Sequence, residues 1–162
     1  MAVEARRLKS VGLERVDGVF GIEAAGRLLI EALPPWVQEL ALLVEAIEAG
    51  RPAGAPPDWQ PGAVIRLPFS DKVCRKGVMC PQALMAAADT SMMLACAAAW
   101  NGPRPTSVVD QTIHFLRPAN FDVLVDARVV RIGRTTSFGL VMLSSAIDRR
   151  PVGMVSSAYA VL

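Results

Sequence analysis

Apolar residues recur along this chain with two different periods, and the change from one to the other sets out its architecture. Between Ile22 and Leu33 the composition favours a helix with Leu28, Leu29 and Leu33 on its apolar side, and Pro34-Pro35 ends it. Trp36, Leu40, Leu43, Val44 and Ile47 then recur at helical spacing, so the pattern predicts a second helix from Pro35 to Gly50. Residues 50–62 are dominated by Gly and Pro and read as a linker. Ala63–Phe69 is a short strand, placed at a sheet edge by Pro68.

The segment from Cys80 to Trp100 reads as one long helix that is apolar on most faces. Past Asn101-Gly102-Pro103 the period becomes two and stays there. Strands are expected at Thr106–Leu116, Phe121–Val129, Thr135–Ile147 and Val152–Val161, with Gly133-Arg134 as a two-residue hairpin loop. Strand, long helix and four consecutive strands imply an α+β domain in which an antiparallel sheet curls around one apolar helix. Residues 62–162 form that domain in this reading, and residues 1–61 form a helical extension with its linker.

Charge sharpens the picture of the helix. Between Lys76 and Arg104 the chain carries a single charged side chain, Asp89, flanked by Ala86-Ala87-Ala88 and Met92-Met93-Leu94. An ionised carboxylate in such surroundings is costly unless it is paired, opens on a cleft, or is used. Asp89-Thr90-Ser91 near the middle also argues against a membrane span. A net charge of +2 over 162 residues, without a basic stripe, gives no footprint for nucleic acid. The start of the chain has no apolar run of the secretory kind, so a cytoplasmic location is expected. Three cysteines without a C-x-x-C pair and a single histidine, His114, suggest neither a disulfide framework nor a zinc site.

Three phrases carry a resemblance: Ala87-Ala88-Asp89-Thr90 in the helix, Ile113-His-Phe-Leu-Arg-Pro-Ala119 in the next strand, and Val130-Arg-Ile-Gly-Arg-Thr-Thr136 at the hairpin. In this order they resemble the hot-dog-fold acyl-CoA thioesterases, closest to the phenylacetate-pathway (PaaI-like) branch and more distantly to 4-hydroxybenzoyl-CoA thioesterase. The resemblance implies a hot-dog fold and hydrolysis of an acyl-CoA or aryl-CoA thioester, with Asp89 as general base or nucleophile. It implies no metal or redox cofactor, CoA entering only as part of the substrate. It also implies a homodimer or homotetramer whose active site lies between subunits.

The family's helix opens on His-Gly-Gly, where this chain has Cys80, Pro81 and Gln82. The first glycine's N–H polarises the thioester carbonyl in the family, and Pro81 has none. With Cys80 as helix cap and Pro81 in the first position, the N–H of Gln82 is the remaining candidate for that task. Cys74 stands where the family often has Asn or Gln. Cys80 at a helix start is a nucleophile candidate on thiol chemistry, but with no histidine near it in sequence it is read first as a small apolar residue at a tight turn.

The hairpin's counterpart in the family lies near the CoA phosphates, which makes Arg134, Thr135 and Thr136 candidates for that contact and Arg117 and Lys76 weaker ones. His114 shares a strand face with Asp110 and Thr112 and is read as structural. Met85, Met92 and Met93 are read as core or pocket lining. The amino-terminal helices either cover a sheet face or, through Trp36 and Trp59, lid an acyl pocket. A hot-dog protein that binds an acyl or aromatic ligand without turning it over is the alternative function.

Overall fold

The computed structural model describes residues 18–162. Its elements run α1 (Ile22–Ala32), α2 (Pro35–Gln38), β1 (Leu43–Glu48), β2 (Gly62–Leu67), β3 (Cys74–Arg75), β4 (Val78–Met79), α3 (Pro81–Trp100), β5 (Thr106–Phe115), β6 (Val123–Ile132), β7 (Thr136–Ser145) and β8 (Pro151–Val161). Six strands form one antiparallel sheet in the order β1-β2-β6-β7-β8-β5. The small β3–β4 ribbon turns at Lys76-Gly77, both at positive φ, and delivers the chain to α3. A long helix held in a curled antiparallel sheet is the hot-dog fold.

Alternation decides which face of the sheet receives the helix. Val123, Val125, Ala127 and Val129 of β6 are buried, as are Ser137, Gly139, Val141 and Leu143 of β7. Phe138, Leu140 and Met142 point the other way and are exposed. Helix α3 packs across β2, β6 and β7 on the buried face. Small residues let it lie close, since Ala87, Ala88, Ala95, Ala97 and Ala98 are all buried. Ser91 satisfies its hydroxyl in this apolar layer by donating to the carbonyls of Ala63 (3.2 Å) and Val125 (3.0 Å), tying the helix to two strands.

Close packing shows most clearly at Gly139. A Cβ there would stand 2.1 Å from Cε of the fully buried Met92 and 2.9 Å from the carbonyl oxygen of Arg128. Gly139→Ala is therefore expected to destabilise the fold by about 1–3 kcal/mol, because both neighbours must shift. Urea denaturation checks this, and an unchanged midpoint would contradict it.

Three expectations are corrected. The helical spacing from Trp36 to Ile47 does not make a helix: α2 stops at Gln38, and Leu43–Glu48 pairs with β2 as the edge strand β1. That edge is also held by charge, with Arg66 bonded to Glu45 (2.5 Å) and Arg128 bonded to Glu48. Consequently β2 is not an edge strand, since β1 and β6 flank it and Pro68 lies just past its end. The hairpin loop is Arg134-Thr135 and not Gly133-Arg134, because the Gly133 N–H closes on the Thr136 carbonyl at 2.9 Å. Gly133 has a packing reason instead: a Cβ would meet that carbonyl oxygen at 2.4 Å.

The amino-terminal helix α1 packs beside β1, and Phe20, Ala25 and Leu28 join the common core. Trp36 is exposed. Asn101, in the left-handed cap of α3, accepts the Phe20 N–H at 2.7 Å and so fastens the incoming chain to the helix end. By length and composition α3 could cross a membrane, yet it forms the core of this sheet, with 72% of its most apolar window buried.

Candidate active site

Asp89 lies near the middle of α3, partly buried, and its side chain meets the sheet at β8. There the hydroxyl of Tyr159, itself 3% exposed, donates to carboxylate oxygen Oδ1 and also lies 3.3 Å from the Asp89 carbonyl oxygen. Burial pushes the Asp89 carboxyl above its ordinary value of 3.8, and the Tyr159 hydrogen bond pulls it partly back. Tyr159 is shifted upward by burial and by the neighbouring carboxylate, which keeps it a phenol and a donor.

A carboxyl with a raised pKa holds its proton more tightly folded than unfolded. Its contribution to stability is full below the unfolded value and is lost as pH rises through the folded one, so ionised Asp89 is a load on the fold. Tyr159→Phe removes the one contact that lowers this pKa. Its effect should be an upward displacement of the acid limb of the pH–rate profile, read as kcat/KM against pH; a limb that stays in place would contradict the pairing's role.

Register places a polar patch next to this pair. Across β7, β8 and β5 the inner face reads, row by row from the hairpin end, Ser137–Tyr159–Val108, then Gly139–Ser157–Gln111, then Val141–Val155–Ile113. Among the described residues, four buried side-chain polar atoms have no hydrogen-bond partner, and three belong to the first two rows: Ser137 Oγ, Ser157 Oγ and Gln111 Nε2. Leaving such a group unsatisfied costs about 1–3 kcal/mol. The third row is apolar.

At the amino end of α3, Cys80 is the cap residue and Pro81 the first helical residue. The Cys80 N–H is committed to the Val73 carbonyl (2.8 Å), and the N–H groups of Ala83 and Leu84 return to the Cys80 carbonyl. Among the described residues this leaves the N–H of Gln82, on an exposed residue, without a partner. Gln82 precedes Asp89 by two helical turns, so the two share a face about 10 Å apart along the axis. Burial raises the Cys74 thiol, and that of Cys96 is pushed up to about 12, so both remain protonated at neutral pH.

The hairpin candidates sit elsewhere. Arg134, Thr135 and Thr136 line an open cleft of about 370 Å³ with Arg131, Gly133 and Phe138. Neither Arg131 nor Arg134 joins an ion pair among the described residues. Phe138 and its strand partner Arg131 lie on the outer face, whereas Asp89 is on the inner face. The cleft and the carboxylate are at the same end of the sheet but are not brought together on one side of a single chain. Arg117 and Lys76 are exposed.

Two residues were missed by sequence reasoning. Tyr159 is the chain's only tyrosine and falls in the inner-face alternation Val155, Ser157, Tyr159, which makes it the natural hydroxyl donor for a carboxylate buried beneath that strand. Arg131 lies two residues before the glycine of the hairpin and adds a second cation to the cleft.

Comparison with known proteins agrees with this fold. A family model described as the thioesterase superfamily matches residues 82–151, a span that includes Asp89, Gln111 and the hairpin and stops short of Ser157 and Tyr159. Among curated proteins no match is found. The fold is similar to that of the Escherichia coli PaaI protein from the phenylacetic acid degradation operon (TM-score 0.70, 15% identity, 87% of this chain and 93% of that one). It is also similar to zebrafish thioesterase superfamily member 2 (TM-score 0.72, 17% identity, 87% and 98%). A Haemophilus influenzae thioesterase superposes with a TM-score of 0.71 at 16% identity over 92% of this chain and 95% of its own. At these identities the likeness is one of fold, and the chain is a hot-dog protein whose helix α3 and strands β5 to β7 match the thioesterase superfamily model.

Proposed function

We propose that this protein hydrolyses a CoA thioester of an acyl or aryl acid, with Asp89 as the general base or nucleophile. The observation that carries the reading is the state of that carboxylate. It is the one charge on a buried helix, its pKa is raised by burial, and Tyr159 holds one of its oxygens while leaving Oδ2 for chemistry.

As general base, Asp89 takes a proton from water while the oxygen attacks the thioester carbonyl carbon. The tetrahedral oxyanion then collapses, the carbon–sulfur bond breaks, and the CoA thiolate leaves to be protonated. As nucleophile, the same carboxylate attacks the carbonyl carbon, the carbon–sulfur bond breaks with departure of the CoA thiolate, and water then opens the resulting acyl anhydride to the free acid and the Asp89 carboxylate. The Gln82 N–H is the available polariser at the helix start, and Cys80 shapes that turn through its backbone. Arg131, Arg134, Thr135 and Thr136 give the CoA phosphates a cationic cleft. Because that cleft opens on the face opposite Asp89, an active site shared between subunits of a homodimer or homotetramer suits the ligand better than one chain alone.

A second reading, ligand binding without turnover, draws support from Pro81 and from the two helical turns between Gln82 and Asp89. A thiol-release assay over short, long and aromatic acyl-CoAs, run on wild type and Asp89→Asn, separates the two. Release by wild type that is lost in the variant supports hydrolysis; binding without release in wild type overturns it.

A further inference from the structure

We propose that the outer face of the sheet is an interface with a second copy of this chain, packed face to face about a two-fold axis that crosses the strands at Leu140. The face carries an apolar stripe: Phe138 is 45% exposed, Leu140 56%, Met142 39% and Met154 48%. Contiguous exposed apolar surface of this kind marks a contact site on a soluble protein. Helix α3 and Asp89 lie on the opposite side of the sheet, so the stripe is not part of the carboxylate's surroundings.

Register makes this face complementary to itself. From β6 through β7 and β8 to β5, its rows read Arg131–Phe138–Ala158–Asp110, then Arg128–Leu140–Ser156–Thr112, then Asp126–Met142–Met154–His114. A two-fold axis along the middle row sets each strand antiparallel to its own counterpart. Leu140 then meets Leu140 of the second copy, and the first row of one copy meets the third row of the other. Phe138 packs on Met142, a ring against a thioether, and Ala158 leaves room for Met154. Arg131 faces Asp126, and the Asp110 carboxylate faces the His114 imidazole. Arg131 and Asp110 join no ion pair among the described residues, whereas Asp126 and Glu48 share the single guanidinium of Arg128. A second guanidinium is what that cluster lacks. Arg128 also meets its own copy across the axis, each held back by its Glu48 and Asp126.

Extent and charge favour a copy of the chain over another partner. Strands β5 to β8 are ten or eleven residues long. With the shorter β1 and β2 the face spans on the order of 800 Å², at about 4.8 Å between strands and about 3.3 Å per residue. Each partner in a stable interface contributes roughly that area, about 800 Å². An anionic lipid surface would call for cations across the whole face, but Asp110, Asp126 and Glu48 stand among them here. The hairpin loop Arg134-Thr135 projects past the first row, which puts the cleft at the rim of the interface.

Sedimentation velocity and light scattering on the full chain test this through its mass. Wild type is expected to contain an even number of chains, and Leu140→Lys, which sets two cations together on the axis, half as many. Leu140 is more than half exposed in the single chain, so the variant should keep its circular dichroism spectrum. Arg131→Glu, which puts like charge against Asp126, is expected to weaken the association about tenfold or more, with Arg131→Lys close to wild type. Ile147→Lys, 80% exposed in the turn between β7 and β8, is the control and should keep the wild-type mass. A wild type that stays a single chain at every concentration overturns the proposal. So does a wild-type mass in Leu140→Lys, an equal loss in Ile147→Lys, or wild-type affinity in Arg131→Glu. None of these readouts depends on thioester turnover.

Discussion

Asp89→Asn is expected to lower thioester turnover by about 10²–10⁴-fold, the usual contribution of a positioned acid–base group, while leaving the protein at least as stable at neutral pH. Asparagine keeps an oxygen for the Tyr159 hydroxyl, so the contact across α3 and β8 persists in outline. It removes the charge whose ionisation works against the fold, because burial raises the native carboxyl's pKa. The two effects have opposite signs. Steady-state thiol release and thermal melting on the same preparation separate them, and a variant that loses activity only in proportion to lost folded protein would contradict a chemical role. A variant with wild-type turnover would remove Asp89 from the mechanism altogether.

The largest effect on stability is expected in the layer between α3 and the sheet. Leu94 is 0% exposed and belongs to the common core with Ile65, Val125 and Leu143. Leu94→Ala deletes three buried carbons and leaves a hole that the facing strands, fixed by their hydrogen-bonded ladder, can fill only in part. A loss of about 2–5 kcal/mol follows, read from chemical denaturation. Val109→Ala is the control: on edge strand β5 this residue is 65% exposed, and the same assay should register little change. Similar losses at both positions would mean that the core is not organised around α3.

Much of the fold was legible because its two periods are clean. The central helix announced itself by an apolar run between Cys80 and Asn101 interrupted only by Gln82 and Asp89-Thr90-Ser91, and the later strands by a period of two that is cleanest in β7. Leu43–Glu48 misled because Trp36, Leu40, Leu43, Val44 and Ile47 satisfy a helical spacing that competes with the strand tendency of so short a segment. Its pairing with β2 is a long-range contact across the Gly/Pro linker, and local pattern carries no record of it. Asp89 stood out as an isolated charge, yet its partner Tyr159 is 70 residues away, and only the closure of β8 over α3 joins them. The hairpin candidates were found as a cluster, but which face of the sheet they occupy depends on register, which spacing within the hairpin does not reveal.

Hydrolysis at Asp89 is tested most directly by incubating the protein with an acyl-CoA in ¹⁸O-labelled water and following CoA and acid by mass spectrometry, in parallel with Asp89→Asn. Free CoA and a carboxylic acid bearing solvent oxygen are expected from wild type, with formation reduced to near the buffer rate in the variant. Intact acyl-CoA throughout the wild-type reaction, or labelled acid formed equally fast by Asp89→Asn, would contradict it.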